Sequence, residues 1–181
     1  MIKINKILLG KGFTLTELLI TVAIVAILGG MATPSFMTII EKNKTITFVS
    51  DFRTAMYLAQ SEAIKRNSTV TILPKARDTR EWQNGWDVFE DTNSNGVKET
   101  TEELISTHTF SHSGYTLKAT DNTYKKWISF NAMGVPVSSN GNEADSSFRI
   151  CPPDNDVSAA RTLNISLSGN IIVTEGASSC P

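Results

Sequence analysis

The chain is short of the residues from which most enzyme chemistry is built. Its 181 residues include two cysteines, Cys151 and Cys180, and two histidines, His108 and His112. Two cysteines exclude a disulfide-dense scaffold and a four-cysteine zinc site, and leave room for one bridge. The histidines fall in a stretch that reads as strand, where residues four apart stand about 13 Å from each other. No glutamate lies between them in a zincin arrangement, so a metal site there is disfavoured. Nucleophile elbow, phosphate loop and Cys-x-x-Cys are all missing, which reads as a protein that is not an enzyme and needs no cofactor. Charge of one sign is lacking too, with 17 Lys and Arg against 18 Asp and Glu. Nothing global draws the chain to nucleic acid or anionic lipid, and any basic surface must be local. The length suits one globular domain with an appendage and excludes a large multidomain enzyme.

The appendage is at the N-terminus. From Leu18 to Ala32 the chain carries no charge. The segment Phe13 to Thr33, 21 residues, makes as helix roughly 32 Å, enough for a hydrocarbon core of about 30 Å. Lys3, Lys6 and Lys11 precede it with no acid among them, so this end stays cytoplasmic and the remainder is exported. Three readings compete: a removed secretory signal, an ordinary single-pass anchor, and an anchor processed ahead of its apolar core. Glu17 separates them, because an acid in an apolar helix costs a few kcal/mol unless it meets a cation or stays at the interface. A plain signal has no use for it.

Beyond this segment Pro34 is expected to kink or interrupt the helix. Ile39, Ile46, Val49, Phe52, Met56, Ala59 and Ala63 then form one apolar stripe, with Glu41, Lys42, Lys44, Asp51, Gln60 and Lys65 off it. This predicts an amphipathic helix over a core, a partner helix being the alternative. Glu62 sits three and four residues before Lys65 and Arg66, and Asn67-Ser68 supplies a stop. Strands are expected at Thr69 to Leu73, Gly85 to Glu90, Glu103 to Phe110, Thr116 to Lys118, Trp127 to Asn131, Ser147 to Cys151, Thr162 to Leu167 and Asn170 to Thr174. Ser168-Gly169 makes the last two a hairpin. Trp82 and Trp86 read either as an exposed aromatic contact or as packing under a loop. The sum is an α+β fold, one long helix on antiparallel β-sheet.

The string from Asp91 to Glu102 fits the calcium-loop pattern. Asp91, Asn93 and Asn95 would offer side-chain oxygens, Val97 its carbonyl, Glu99 a direct or water-mediated contact and Glu102 two oxygens. A strand precedes the loop where an EF-hand has a helix, so a surface hairpin of Asx turns is the competing reading. In an exported domain Cys151 and Cys180 are expected to pair, tying the C-terminus to a strand.

Lys11-Gly12-Phe13-Thr14-Leu15-Thr16-Glu17, with its basic leader and following apolar helix, resembles the start of a type IV prepilin. That resemblance implies cleavage by a prepilin peptidase between Gly12 and Phe13, methylation of Phe13, and a register role for Glu17 against the Phe13 amine of a neighbour. It divides the chain into a leader (1–12), a transmembrane and filament-core helix (13–33), an amphipathic helix (34–67) and a β-rich head (68–181), with 34–181 one exported domain. Removing the leader leaves 14 basic against 18 acidic residues, a formal charge of −4. Phe52 to Ala55, Ala59 to Arg66, Gly85 to Gly96, and Ile128 to Phe130 with Gly134 resemble the FimT/FimU minor pilins and their GspH pseudopilin counterparts. The resemblance implies the type IV pilin fold and a minor subunit that helps prime or cap a pilus. It further implies partners among minor and major pilins through the N-terminal helix. The precursor would be a single-pass inner-membrane protein with a periplasmic head, and the mature chain a filament component. A GspH-like pseudopilin of type II secretion is one alternative. The other is a DNA-binding minor pilin for transformation, which in FimT relatives uses Gly-Arg-x-Arg near the C-terminal hairpin. Here Gly169-Asn170-Ile171-Ile172 has no arginine, and only Lys125, Lys126, Arg149 and Arg161 remain as DNA contacts.

Overall fold

Helix α1 (Leu15–Arg66) runs for 52 residues in the computed structural model, which describes residues 12–76, 81–110 and 114–180, the side chains of 31–38 excepted. Asn67 ends it at φ 52. Its N–H donates to Ile64 O (3.3 Å) and that of Ser68 to Ala63 O (3.2 Å), the paired bonds that close a helix on a left-handed residue. The expected interruption at Pro34 does not occur, since the helix runs through it. A proline forfeits one backbone bond, which does not by itself terminate so long a helix. Among the described residues no helix is long and apolar enough to cross a membrane. The expected span, 13–33, has its last three side chains outside the described set.

The chain divides into two compact units, residues 1–39 and 40–181. In the second, the expected stripe buries Val49, Phe52, Met56, Ala59 and Ala63, and is joined by Thr45, Phe48 and Ala55. Ile46 stays 49% exposed, as the buried arc centres on Phe52 and Ile46 lies a third of a turn off it. Thr45 fills the core position instead, its hydroxyl donating to Glu41 O (3.1 Å) so that no polar group is orphaned.

All eight expected strands form, within two residues at each end: β1 (Val70–Pro74), β2 (Trp86–Glu90), β3 (Leu104–His108), β4 (Thr116–Ala119), β5 (Ile128–Phe130), β7 (Ser146–Cys151), β8 (Arg161–Ile165) and β9 (Ile171–Glu175). The addition is β6 (Pro136–Val137), too short to show alternation in sequence. They make two antiparallel sheets, β3-β2-β1-β5-β6 and β4-β7-β8-β9. Phe52 sits where the sheets meet, its ring 4.8 Å from Trp86 of β2 and 4.9 Å from Phe148 of β7. Trp82 and Trp86 are both buried, which decides for packing over an exposed contact. Around them Ile72, Val88, Ile128 and Phe130 come from the first sheet, and Leu117, Ile150, Leu163 and Ile165 from the second.

Polar side chains of α1 bind it to the sheets. Gln60, expected to face solvent, donates from Nε2 to Gly134 O (2.9 Å) and Gly169 O (3.3 Å). These carbonyls belong to the β5–β6 and β8–β9 turns, one from each sheet. Both glycines are at φ +77, and a Cβ at Gly169 would stand 2.3 Å from Gln60 Nε2, so the approach requires glycine. At the helix end, Arg66 reaches Glu62 (Nε, 2.7 Å), Glu90 of β2 (Nη1, 2.8 Å) and Glu103 (Nη1, 2.8 Å). Arg66 first, then Lys65, holds Glu62 below the usual carboxylate range. Ser68 and then Arg66 do so for Glu90, and Arg66 for Glu103. Arg66 itself is pushed up by the same carboxylates.

These depressed carboxylates stabilise the fold above their unfolded pKa, and that contribution is lost as pH falls through the folded values, from about pH 4.5 downward. The thermal midpoint is therefore expected to fall between pH 5 and 3. Arg66→Met lowers it at pH 7 and flattens the acid limb. An Arg66→Met variant with an unchanged acid limb would show that the network does not couple helix to sheet.

Candidate functional site

The first turn of α1 joins an acid to bare apolar surface. Thr14 N donates to Glu17 Oε2 (3.0 Å), Thr14 Oγ1 donates to the same oxygen (2.8 Å), and Glu17 N donates to Thr14 Oγ1 (3.3 Å). This is a capping box, which satisfies first-turn amides and places the carboxylate at the positive end of the helix dipole. Thr14 is the partner that the sequence reading missed, although Thr-x-x-Glu ahead of an apolar run is its signature. Behind it Leu18, Leu19, Ile20, Val22, Ile24, Val25, Ile27 and Leu28 are all more than half exposed. So much apolar surface in water marks a segment made to be covered, by lipid or by other protein. Gly12 and Phe13 lie just ahead of the helix, and Phe13 is 75% exposed.

The loop that follows β2 is held by its own amides. Asp91 is buried because β2 delivers it against β1, where Thr71 Oγ1 donates to Oδ2 (2.6 Å). Gly96 N donates to the same oxygen (2.9 Å) and Asn95 N to Oδ1 (3.0 Å). Glu102 accepts from Thr92 N (3.0 Å) and Glu99 N (2.9 Å). Asn93 and Asn95 accept from backbone N–H groups two residues on, and both donate from Nδ2 to Glu99 Oε1. The oxygens expected to converge on calcium are thus directed at donors inside the loop. Val97 contributes its amide to the Asn95 turn. Among the described residues no group of three His, Cys, Asp or Glu is placed to hold a metal. Gly96 has a further duty: at φ +71 it passes beneath the Trp127 indole, which an added Cβ would approach to 2.2 Å. Nothing in the local sequence signals that Trp127 covers the loop.

The expected basic contacts are largely engaged elsewhere. Arg161 is buried, donating to Ala159 O (3.3 Å), Ala160 O (2.8 Å) and Glu175 (3.3 Å). It is a cross-strand tie between β8 and β9. Arg149 of β7 donates to Ser179 Oγ and Ser178 Oγ, both at 2.9 Å. The same strand ends in Cys151, which is bridged to Cys180 with 5.9 Å between Cα atoms, so the C-terminal segment is fixed twice beside β7. By loop size the bridge contributes roughly 3 to 4 kcal/mol. Lys125 and Lys126 lie in the turn leading to β5. His108 stacks on Trp86, ring centroids 4.4 Å apart, while His112 lies outside the described residues.

The family model for the type II transport protein GspH matches residues 49–169, and the prokaryotic N-terminal methylation motif matches residues 10–33. Two crystal forms of the type IV minor pilin FimU of Pseudomonas aeruginosa (strain PAO1) are similar in structure, each at 20% identity. One has a TM-score of 0.61 over 78% of this chain and 98% of its own. The other has a TM-score of 0.56 over 73% and 96%. The minor pseudopilin EpsH of the Vibrio cholerae type 2 secretion system shares 15% identity and a TM-score of 0.48, over 72% of this chain and 96% of its own. At these identities the likeness to FimU speaks for the fold. No curated protein matches the chain.

Calcium at millimolar concentration is expected to leave the thermal midpoint of the protein unchanged. Asp91→Ala lowers stability by about 1 to 3 kcal/mol, with or without calcium, because two buried donors, Thr71 Oγ1 and Gly96 N, lose their acceptor. A calcium-dependent rise in midpoint that Asp91→Ala abolishes would contradict this account of the loop.

Proposed function

We propose, since the chain belongs to the GspH family, that it is a minor pilin of a type IV pilus which helps to prime or cap filament assembly. Members of this family assemble with other pilins and are structural rather than catalytic subunits. The observation that carries the reading is one continuous helix with two faces of use. Its second half is the wall of a GspH-type head. Its first half presents an exposed apolar surface behind Glu17 and the Gly12-Phe13 junction.

In this reading a prepilin peptidase removes residues 1–12, Phe13 becomes the methylated N-terminus, and the apolar stem moves from the inner membrane into the filament. The head is periplasmic until then. Thr14 bonds to Oε2 of Glu17 alone, leaving Oε1 to receive the Phe13 amine of a neighbouring subunit. Compensating a charge buried in apolar surroundings sets the axial register of one stem on the next.

The family description favours a second reading, a pseudopilin of a type II secretion system, in which the same processing and stem serve a shorter filament. DNA binding draws less support. Arg161 is spent on Glu175 and backbone carbonyls, Arg149 on the C-terminal serines, and the mature chain is net acidic, whereas phosphate binding needs clustered free cations.

N-terminal sequencing of membrane-extracted protein is expected to begin at Phe13. Glu17→Ala is still cleaved but enters sheared filaments several-fold less well than the unmodified chain. A start at Met1 or beyond Ala32 would refute the prepilin reading, and normal incorporation of Glu17→Ala would refute the register role.

A further inference from the structure

A cavity of about 390 Å³ opens between α1 and the end of β3, a size within the range of small-molecule sites. One wall is a row along the helix. Ile40, Lys44, Thr47 and Asp51 follow one another at four, three and four residues, the spacing that keeps side chains on one helix face. The other wall is aromatic and fixed from behind. Between ring centroids, His108 stacks on Trp86 at 4.4 Å and Phe110 on Phe48 at 3.5 Å, and Trp86 and Phe48 are core residues. The polar groups of the cavity are unspent. Arg66 and Arg161 meet carboxylates, whereas neither Lys44 nor Asp51 has an ion pair or hydrogen bond among the described residues. The Asn43 side chain, also on the lining, has none either. His108 adds Nε2, shielded from water and without a partner, a state that few buried polar atoms of a folded protein are left in.

We infer that this cavity binds a short peptide with both termini free, about three residues long, its ammonium at Asp51 and its carboxylate at Lys44. The inference does not depend on the filament reading. Charge and length select the ligand. Lys44 and Asp51 are seven residues apart on one helix, about 10.5 Å along its axis. An extended chain advances about 3.3 Å per residue, so the two ends of a tripeptide reach both groups at once. A single amino acid carries both charges on one carbon and cannot. A polyphosphate or nucleic acid needs clustered cations, and the cavity offers one beside an acid, since Lys75 is held on Thr109 Oγ1 (2.6 Å). Between its ends the ligand presents peptide groups. Asn43 can donate to and accept from them, and they offer His108 Nε2 the partner that the chain does not supply. The middle side chain lies on Phe110 and on Ile40, which is 48% exposed in the single chain, so an apolar residue is preferred there.

The test is calorimetric titration of the full chain in detergent with the tripeptide Ala-Phe-Ala. One saturable site is expected. Amidating the peptide carboxylate weakens binding about fivefold, as for one partly exposed ion pair, and acetylating its amine does the same. Lys44→Met costs nothing further once the peptide is amidated, nor Asp51→Asn once it is acetylated, because each combination removes a single interaction. The absence of a saturable site overturns the inference. So does an affinity indifferent to blocking either end, or a further loss when a variant meets its matching blocked end. Self-association of the full chain that Lys44→Asp abolishes and the peptide leaves untouched would assign the cavity to a second copy, and would overturn it too.

Discussion

The head depends on one aromatic side chain being shared between two sheets. Phe52 is fully buried and makes edge contacts with Trp82, with Trp86 of the first sheet and with Phe148 of the second. Each sheet has a single apolar inner face, and neither can bury that face on water. The helix is therefore the common wall rather than a lid added to a finished core. Full burial of a side chain this large contributes about 1.5 to 3 kcal/mol, and truncation costs more because both sheets lose their packing partner at once. The small residues that follow on the same face, Ala59 and Ala63, let the strands approach the helix closely where the sheets converge.

Apolar packing of this kind is non-directional, so polar contacts must fix where along the helix the sheets sit. Gln60 does this at the turns of both sheets, Arg66 at the edge of the first, and the Cys151–Cys180 bridge with Arg149 at the C-terminus of the second. The Asp91 to Glu102 loop uses the same economy. A sequence rich in carboxylates and amides resembles a cation site, yet its oxygens are satisfied by nearby N–H groups because β2 carries Asp91 inward to Thr71, with Ser129 beyond it (2.7 Å).

Local pattern made most of the fold legible. Strands such as those expected at Gly85 to Glu90 and Ser147 to Cys151 are marked by β-branched and aromatic runs between turn residues, and the breaks at Asn67-Ser68 and Ser168-Gly169 by turn chemistry. The disulfide followed from two cysteines in a domain expected to be exported. What stayed hidden are the long-range relations. Gln60 reads as a solvent residue until the two glycine turns are brought to it, Arg161 reads as a free cation until β9 brings Glu175 across, and Trp127 gives no sign of covering Gly96. The helical stripe was off by part of a turn at its start, since Ile46 is as apolar as any core residue and only the sheets' position decides that Thr45 is buried in its place. At the N-terminus the reverse holds, for Gly12, Phe13 and Glu17 are telling as sequence and a single subunit shows only the capping box of Thr14 and Glu17.

A head with both ends of its β region tied down, on a stem whose apolar surface is bare in the single chain, is built to be finished by its neighbours. Priming or capping makes a sharper demand than membership of a filament, because it confines the subunit to an end. The direct measurement is immunogold labelling of purified filaments with antibody raised against the head. The account predicts label at one end of each filament and none along the shaft. Gold distributed along the length would contradict it.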